Sequence, residues 1–240
     1  MTPNRSIPRP DVRLHPYESP ALRAVTGPTL RPGGLDLTRR AVSICHPPAD
    51  ARILDIGCGL GATVAWLHDK GWIGALGLDR AFSLLAERDP HHPRLPMVQA
   101  NAVSIPFADR SFDLVLAECV LSLIAEPVRM LAECRRVMRP GASLVVTDLY
   151  RRDSRSAALK GSYCACGCLT GARGREQMTA LARQSGFETM VWEDHSDRLK
   201  RLAADLVWSG ASLTSFRPAA ANGRLGFCLT VWRPKDPEDG

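Results

Sequence analysis

Short apolar runs and helically spaced apolar positions take turns along most of this chain. A brief apolar run bounded by turn residues reads as a buried strand, and apolar positions three or four apart read as a helix with one face in a core. In "GGLDLTRRAVSICH" the residues Leu37, Ala41, Val42 and Ile44 fall at helical spacing. "ARILDIG" (51–57) then reads as a strand, "GATVAWLHDKG" (61–71) as a helix stopped by Gly71, and "WIGALGLD" (72–79) as a second strand. A short helix, "RAFSLLAERD", leads to the strands "LPMVQANA" (95–102) and "SFDLVLAEC" (111–119). "EPVRMLAECRRVMRPG" (126–141) has Val128, Met130, Leu131, Val137 and Met138 at helical spacing with Pro140-Gly141 as the stop, and "ASLVVTDLY" (142–150) is a fifth strand. The pattern continues with a helix over 174–188 ending near Gly186, the strand "FETMVWED", the helix "RLKRLAADLVWSGAS" and a final strand over 224–235. Such alternation predicts a mostly parallel sheet with helices on both faces.

Before this pattern starts, Pro3, Pro8, Pro10, Pro16, Pro20, Pro28 and Pro32 break up any long element. The expected organisation is a Pro-rich N-terminal cap segment (1–34), one α/β domain (35–235) with a Cys-rich insertion at 151–185, and a tail (236–240). A length of 240 residues with 45% hydrophobic residues suits one globular domain. The start, "MTPNRSIPRP", has no apolar stretch of the kind a secretory signal carries, and no run approaches the length of a membrane span. The expectation is a cytoplasmic protein with no membrane partner, its eight cysteines reduced rather than paired. The net charge of +6 changes little, because the basic residues are scattered and aromatics are only 6%. Nucleic-acid binding wants a basic stripe with stacking aromatics, so a small-molecule partner is expected instead. The oligomeric state is left open.

Chemistry concentrates in "LDIGCGLGA", where Asp55, Gly57, Gly59 and Gly61 stand at a strand-to-helix turn. Glycines there let backbone approach a ligand, and the helix N-terminus offers free N–H groups. Read as Gly57-x-Gly59-x-x-Ala62, the turn also satisfies the dinucleotide fingerprint, with Asp79 where an acid grips ribose hydroxyls. Two features break the tie. Asp55 would repel a pyrophosphate but suits a cationic cofactor without phosphate. The segments "QANAVSIPFADRSFDLVLAECVLSLI" and "ECRRVMRPGASLVVTDLY" then follow in order.

Together these motifs resemble the class I S-adenosylmethionine-dependent methyltransferases over residues 50–150. The resemblance implies a Rossmann-like, doubly wound sheet of seven strands, mostly parallel, with an antiparallel last strand. It implies S-adenosyl-L-methionine as cofactor, with Asp55, Gly57, Cys58 and Gly59 around its methionine part. Asp79 and Arg80 would serve the ribose, and Asn101 and Ala102 would flank the adenine. Asn101 stands where the family often has aspartate, and Ile105, Pro106 and Phe107 match an apolar turn of the family. Glu118 and Cys119 lie where the fourth strand opens onto cofactor and substrate. Tyr17, in "HPYE", is a candidate for the substrate side; packing against a lid is its plainer explanation.

A second resemblance concerns the acceptor. "ECVLSL" (118–123), "VTDLY" and "CLTGA" (168–172) are similar to segments of arsenite methyltransferases, which implies a metalloid-binding role for Cys168. The chain departs from that family at Ala62-Thr63, where a cysteine is often found, and Cys228 is its only late cysteine. In "YCACGCLTGARG" the alternate spacing of Cys164, Cys166 and Cys168 can present three sulfurs on one side, a candidate site for a soft metal or metalloid. Idle, reduced thiols are the plain alternative. Cys45, Cys134 and Cys228 sit in apolar periodic segments and are expected in the core. The expected function is methyl transfer to a small acceptor, with a thiophilic metalloid or thiol-bound substrate as one class. The rival is a thiol-based metal- or metalloid-binding accessory protein on the same fold, without turnover.

Overall fold

A computed structural model describes residues 20–87, 91–92, 94–152, 168, 171–208 and 224–235. Helix α1 (Pro20–Thr26) and a 3-10 turn (Gly27–Thr29) lead into α2 (Asp36–Cys45). There follow β1 (Ile53–Ile56), α3 (Ala62–Asp69), β2 (Ala75–Asp79), α4 (Phe82–Ala86), β3 (Met97–Gln99) and β4 (Phe112–Glu118). A 3-10 turn (Leu121–Leu123) and α5 (Pro127–Val137) connect to β5 (Met138–Arg151). The chain ends its described course with β6 (Arg173–Gly174), α6 (Arg175–Gln184), β7 (Phe187–Asp194), α7 (Ser196–Trp208) and β8 (Leu225–Pro234).

The strands form one sheet in the order β3-β2-β1-β4-β5-β8-β7, with β6 paired to β5 off this path. All pairings are parallel except those of β8, which runs antiparallel to both β5 and β7. The expected Rossmann-like sheet is therefore present, with the two-residue β6 as an eighth strand that periodicity could not reveal. Residues 173–185 of the expected insertion are built into the sheet and its helical layers. Among the described residues, no helix is long and apolar enough to cross a membrane.

Because β1, β4 and residues 142–150 of β5 are buried almost throughout, their sequences are mostly apolar. Leu54, Ile56, Val115 and Val146 face α5 and α6 through Met130, Leu131, Cys134 and Met178. Ile53, Leu114, Leu116 and Val145 face the other side, against Leu37, Ala41, Leu67 and Leu199. Each such aliphatic side chain contributes about 1.5–3 kcal/mol when taken from water. Cys134 and Cys228 are fully buried here, as expected of core cysteines, and Cys45 is half-buried.

Helix α5 stops at Val137, ahead of the Pro140-Gly141 breaker. The N–H groups of Arg110 and Ser111 take the carbonyls of Arg136 and Val137 (2.9 and 2.7 Å), so pairing with the neighbouring segment ends the helix first. The chain runs from β1 outward through β2 and β3, then returns to the other side of β1 as β4. That reversal opens a crevice beyond the carboxyl ends of β1 and β4, where ligands bind in sheets of this kind.

Candidate functional site

The turn after β1 is shaped by its glycines. Gly57, Gly59 and Gly61 all have positive φ (73°, 54° and 84°), a region costly for residues with a Cβ. A Cβ on Gly57 would lie 2.3 Å from Val120 Cγ2, and one on Gly61 would lie 2.6 Å from Met97 Sδ. The turn is tied to β2 by its own N–H groups. Gly57 and Cys58 donate to the Leu78 carbonyl (2.7 and 3.1 Å), and Gly59 donates to Asp79 Oδ2 (2.9 Å). Ala81 N–H donates to Asp79 Oδ1 (2.8 Å), so one carboxylate fixes both loops beside the crevice.

A cavity of about 300 Å³ occupies the crevice. Its wall includes Gly57, Cys58, Gly59, Asp79, Arg80, Asn101, Ala102, Glu118 and Cys119, all singled out from sequence. Asp55 lies behind the wall, 2% exposed. Cys58 packs tightly: its Sγ would stand 2.6 Å from a Cβ on Gly77, which explains a glycine in the middle of β2. Asn101 Oδ1 accepts the Val103 N–H (3.2 Å) and closes its own turn. Tyr17, Cys164 and Cys166 lie outside the described residues.

Sequence reasoning missed the segment 28–31, whose Pro28, Thr29, Leu30 and Arg31 form another wall. Leu30 has positive φ (56°) and is buried against the glycine turn. The Arg31 guanidinium is 8% exposed and pairs with Glu118 Oε2 at 2.9 Å. It also donates to Thr38 and Thr63 (2.6 and 2.9 Å). Thr38 in turn donates to Glu118 (3.1 Å), which binds α2, α3 and β4 into one polar cluster under the cavity. The "RPGG" that carries Arg31 looks like a plain turn, and no local pattern marks the arginine.

Charge in the cluster is unbalanced. Among the described residues, Asp55, Asp79 and Glu118 face one buried cation, Arg31. Burial pushes the Asp55 carboxyl well above its usual range; Glu118 and Asp79 add to this, and Arg31 opposes it. Burial likewise pushes up the Cys58 thiol, helped by Asp55 and Asp79. A cationic ligand without phosphate relieves this surplus. The glycine cradle and the carboxylates thus fit S-adenosylmethionine, whose sulfonium and ammonium are positive.

On the opposite wall, Cys119 holds a positive φ (59°), unusual for a residue with a side chain. Its N–H donates to the Thr147 carbonyl (2.7 Å), which keeps the end of β4 in this shape. Burial holds the Cys119 thiol well above its ordinary pKa, with Asp148 adding to the effect. Asp148, buried beside it, accepts from the Ser122 N–H and hydroxyl (both 2.7 Å) and so anchors the 3-10 turn that carries Leu123. Burial raises the Asp148 carboxyl to about 6, while its hydrogen bonds with Ser122 pull the other way.

Cys168, a candidate metal or metalloid ligand from the sequence, is buried, 3% exposed, in the apolar cluster that holds Cys119, Leu149 and Ala172. Its turn packs onto Ser122 so closely that a Cβ on Gly171 would lie 1.8 Å from the Ser122 carbonyl oxygen. Among the described residues, no three His, Cys, Asp or Glu side chains form a metal-binding group. Gly171→Ala is expected to lower stability by about 1–3 kcal/mol, because backbone must move on both sides of that contact. Urea unfolding measures it, and an unchanged midpoint would show that the two turns do not touch.

Residues 54–146 match a family described as "Methyltransferase domain". The chain is 38% identical over 102 residues to phthiotriol/phenolphthiotriol dimycocerosates methyltransferase 1 of Mycobacterium ulcerans, covering 41% of this chain and 37% of that one. It is 30% identical over 162 residues to phosphatidylethanolamine N-methyltransferase of Cereibacter sphaeroides, covering 64% of this chain and 68% of that one. The chain spans 37% to 65% of the length of the first four curated relatives. Among solved structures, Haemonchus contortus phosphoethanolamine N-methyltransferase 2 in complex with S-adenosyl-L-methionine superposes with a TM-score of 0.75. At 16% identity, over 90% of this chain and 56% of that one, this is a likeness of fold.

Proposed function

The chain belongs to the class I S-adenosylmethionine-dependent methyltransferases, and we propose that it transfers a methyl group from S-adenosylmethionine to a small acceptor. The observation that carries this is the surplus of carboxylate around a glycine-cradled cavity at the switch point of the sheet. When bound, the cofactor supplies a methyl group already activated by its sulfonium. The turn 57–61 would back the methionine part, and Asp79 and Arg80 the ribose. Asn101 and Ala102 would flank the adenine. Glu118, with Asp55 behind, would face the cationic end. Displacement at such a methyl group needs alignment and proximity above all.

The acceptor side would be formed by Cys119, Leu123 and Ile124, in the cavity that Pro28, Thr29, Leu30 and Arg31 also line. Glu118 is engaged with Arg31, and burial holds the Cys119 thiol up, so the thiol is not poised to act as a base. An acceptor that brings its own lone pair, an amine or a sulfur, suits such a wall. A second reading is a thiol-based metal- or metalloid-binding protein on this fold without turnover, with Cys168 as a ligand. Both Cys119 and Cys168 are buried, and no three metal-ligating side chains meet among the described residues, which weighs against it. Incubation with S-adenosylmethionine and a panel of amines, thiols and arsenite separates the two. Release of S-adenosylhomocysteine with one acceptor is the expected result. Arsenite binding without any release would favour the second reading.

A further inference from the structure

We propose that the cleft at the amino ends of β4, β5 and β7 binds a small phosphate-type oxyanion through Arg110 and Arg135. The proposal is independent of the cofactor reading, because the cavity described above lies at the opposite, carboxyl ends of the strands.

The cleft, of about 430 Å³, lies between the turn before β4 and the last turns of α5 and α6. Its lining reaches Met138, the first residue of β5, and Ser185, just ahead of β7. Arg110, Arg135 and Arg136 all contribute to it. Arg136 takes up the acids nearby. Its guanidinium donates to both oxygens of Glu133, to Asp109 Oδ1 and to the carbonyls of Ile105 and Phe107, each at 2.8 Å. These bonds use all five of its donors. Glu133 and then Asp109 hold its proton more firmly than usual.

Arg110 and Arg135 are left without an acid. Among the described residues neither makes an ion pair. Arg135 makes one side-chain hydrogen bond, from Nη2 to the Lys235 carbonyl (3.1 Å). A Cβ on Gly186, at positive φ (77°), would overlap Arg135 Nη1, so this glycine seats the guanidinium. Its Nε and Nη1 donors have no partner among the described residues. Arg110 also has positive φ (50°), and its N–H donates to the Arg136 carbonyl (2.9 Å), which ties its backbone to the end of α5. Ser185 Oγ has no hydrogen-bond partner among the described residues.

Cations often neutralise the carboxyl ends of helices. That account does not cover Arg110, which lies outside any helix, or the open donors of Arg135. Two unpaired guanidinium groups in one cleft repel each other, and an anion between them relieves the repulsion. A tetrahedral oxyanion, with several acceptor oxygens, suits two planar donor edges. Ala132 and Met138 add apolar surface, so the phosphate of an organic monoester fits the same chemistry as the free ion.

The test is calorimetry on the full chain with inorganic phosphate and with glycerol 3-phosphate, sodium chloride keeping the ionic strength constant. Saturable binding at one site is expected, and the tighter of the two probes identifies the source. Arg135→Gln and Arg110→Asn, the second chosen because asparagine tolerates positive φ, should each weaken it by about 10-fold or more, as for a lost charge-assisted hydrogen bond. Arg135→Lys should keep part of the affinity. Saturating S-adenosylmethionine should leave phosphate binding unchanged. No saturable binding of either probe would overturn the proposal, as would undiminished binding in both variants. Competition between phosphate and S-adenosylmethionine would place the anion in the other cavity and overturn it too.

Discussion

Asp79→Ala is expected to weaken S-adenosylmethionine by at least about 30- to 100-fold, the loss of two charge-assisted hydrogen bonds worth roughly 2–3 kcal/mol. An ionised carboxylate has about four acceptor positions. The Gly59 and Ala81 N–H groups occupy one on each oxygen, and the remaining positions are free for ribose hydroxyls on the cavity side. Alanine removes both functions at once: the ribose loses its partner, and Gly59 N–H, beneath the cofactor, is left unsatisfied. Asp79→Asn keeps one oxygen for one of the two loops and should fall between. Calorimetry decides. Affinity unchanged in the alanine variant would take Asp79 out of the site, and tighter binding of NAD than of S-adenosylmethionine would sink the cofactor assignment.

Asp55→Asn is expected to stabilise the unliganded protein and to weaken the cofactor. The carboxyl is raised in the folded state, chiefly by burial and then by Glu118. Between the ordinary carboxylate range and this higher value the folded state binds more protons than the unfolded one, so stability falls as pH rises through that window. Asparagine has no charge to bury. Its advantage should be largest at neutral pH and shrink toward pH 4, the start of the unfolded carboxyl's titration. A gain of about 2–4 °C in melting temperature corresponds to each kcal/mol relieved in a chain of this size.

Binding of a cation works in the opposite sense, because it favours ionised Asp55. The wild type should therefore release a proton, up to about one per cofactor, and bind more tightly as pH rises. Calorimetry in buffers of different ionisation enthalpy counts that proton. Asp55→Asn should lose the release and most of the pH dependence. Equal proton counts in the two proteins would assign the linkage to another group.

The alternation of strands and helices was legible because burial imposes a period on each element. The glycine turn was legible because positive φ and close approach restrict residue choice at neighbouring positions, and Asp79 stands at the end of the next strand. Seven of the strands followed from these local signals; β6 did not, since two residues carry no period. Arg31 and Asp148 were not legible as site groups for a different reason. Thr38 meets Glu118 across 80 residues of chain, and Arg31 meets Thr63 across 32. Cys168 stands among Gly- and Arg-bearing neighbours in the sequence, yet it is buried in the apolar cluster with Leu149 and Ala172. By itself the sequence determined the periodic elements and the glycine turn, whose constraints act between residues close along the chain. Which charges share a cavity, and which thiol leaves the surface, only the tertiary structure decided, because folding brings those groups together from segments that share no local pattern.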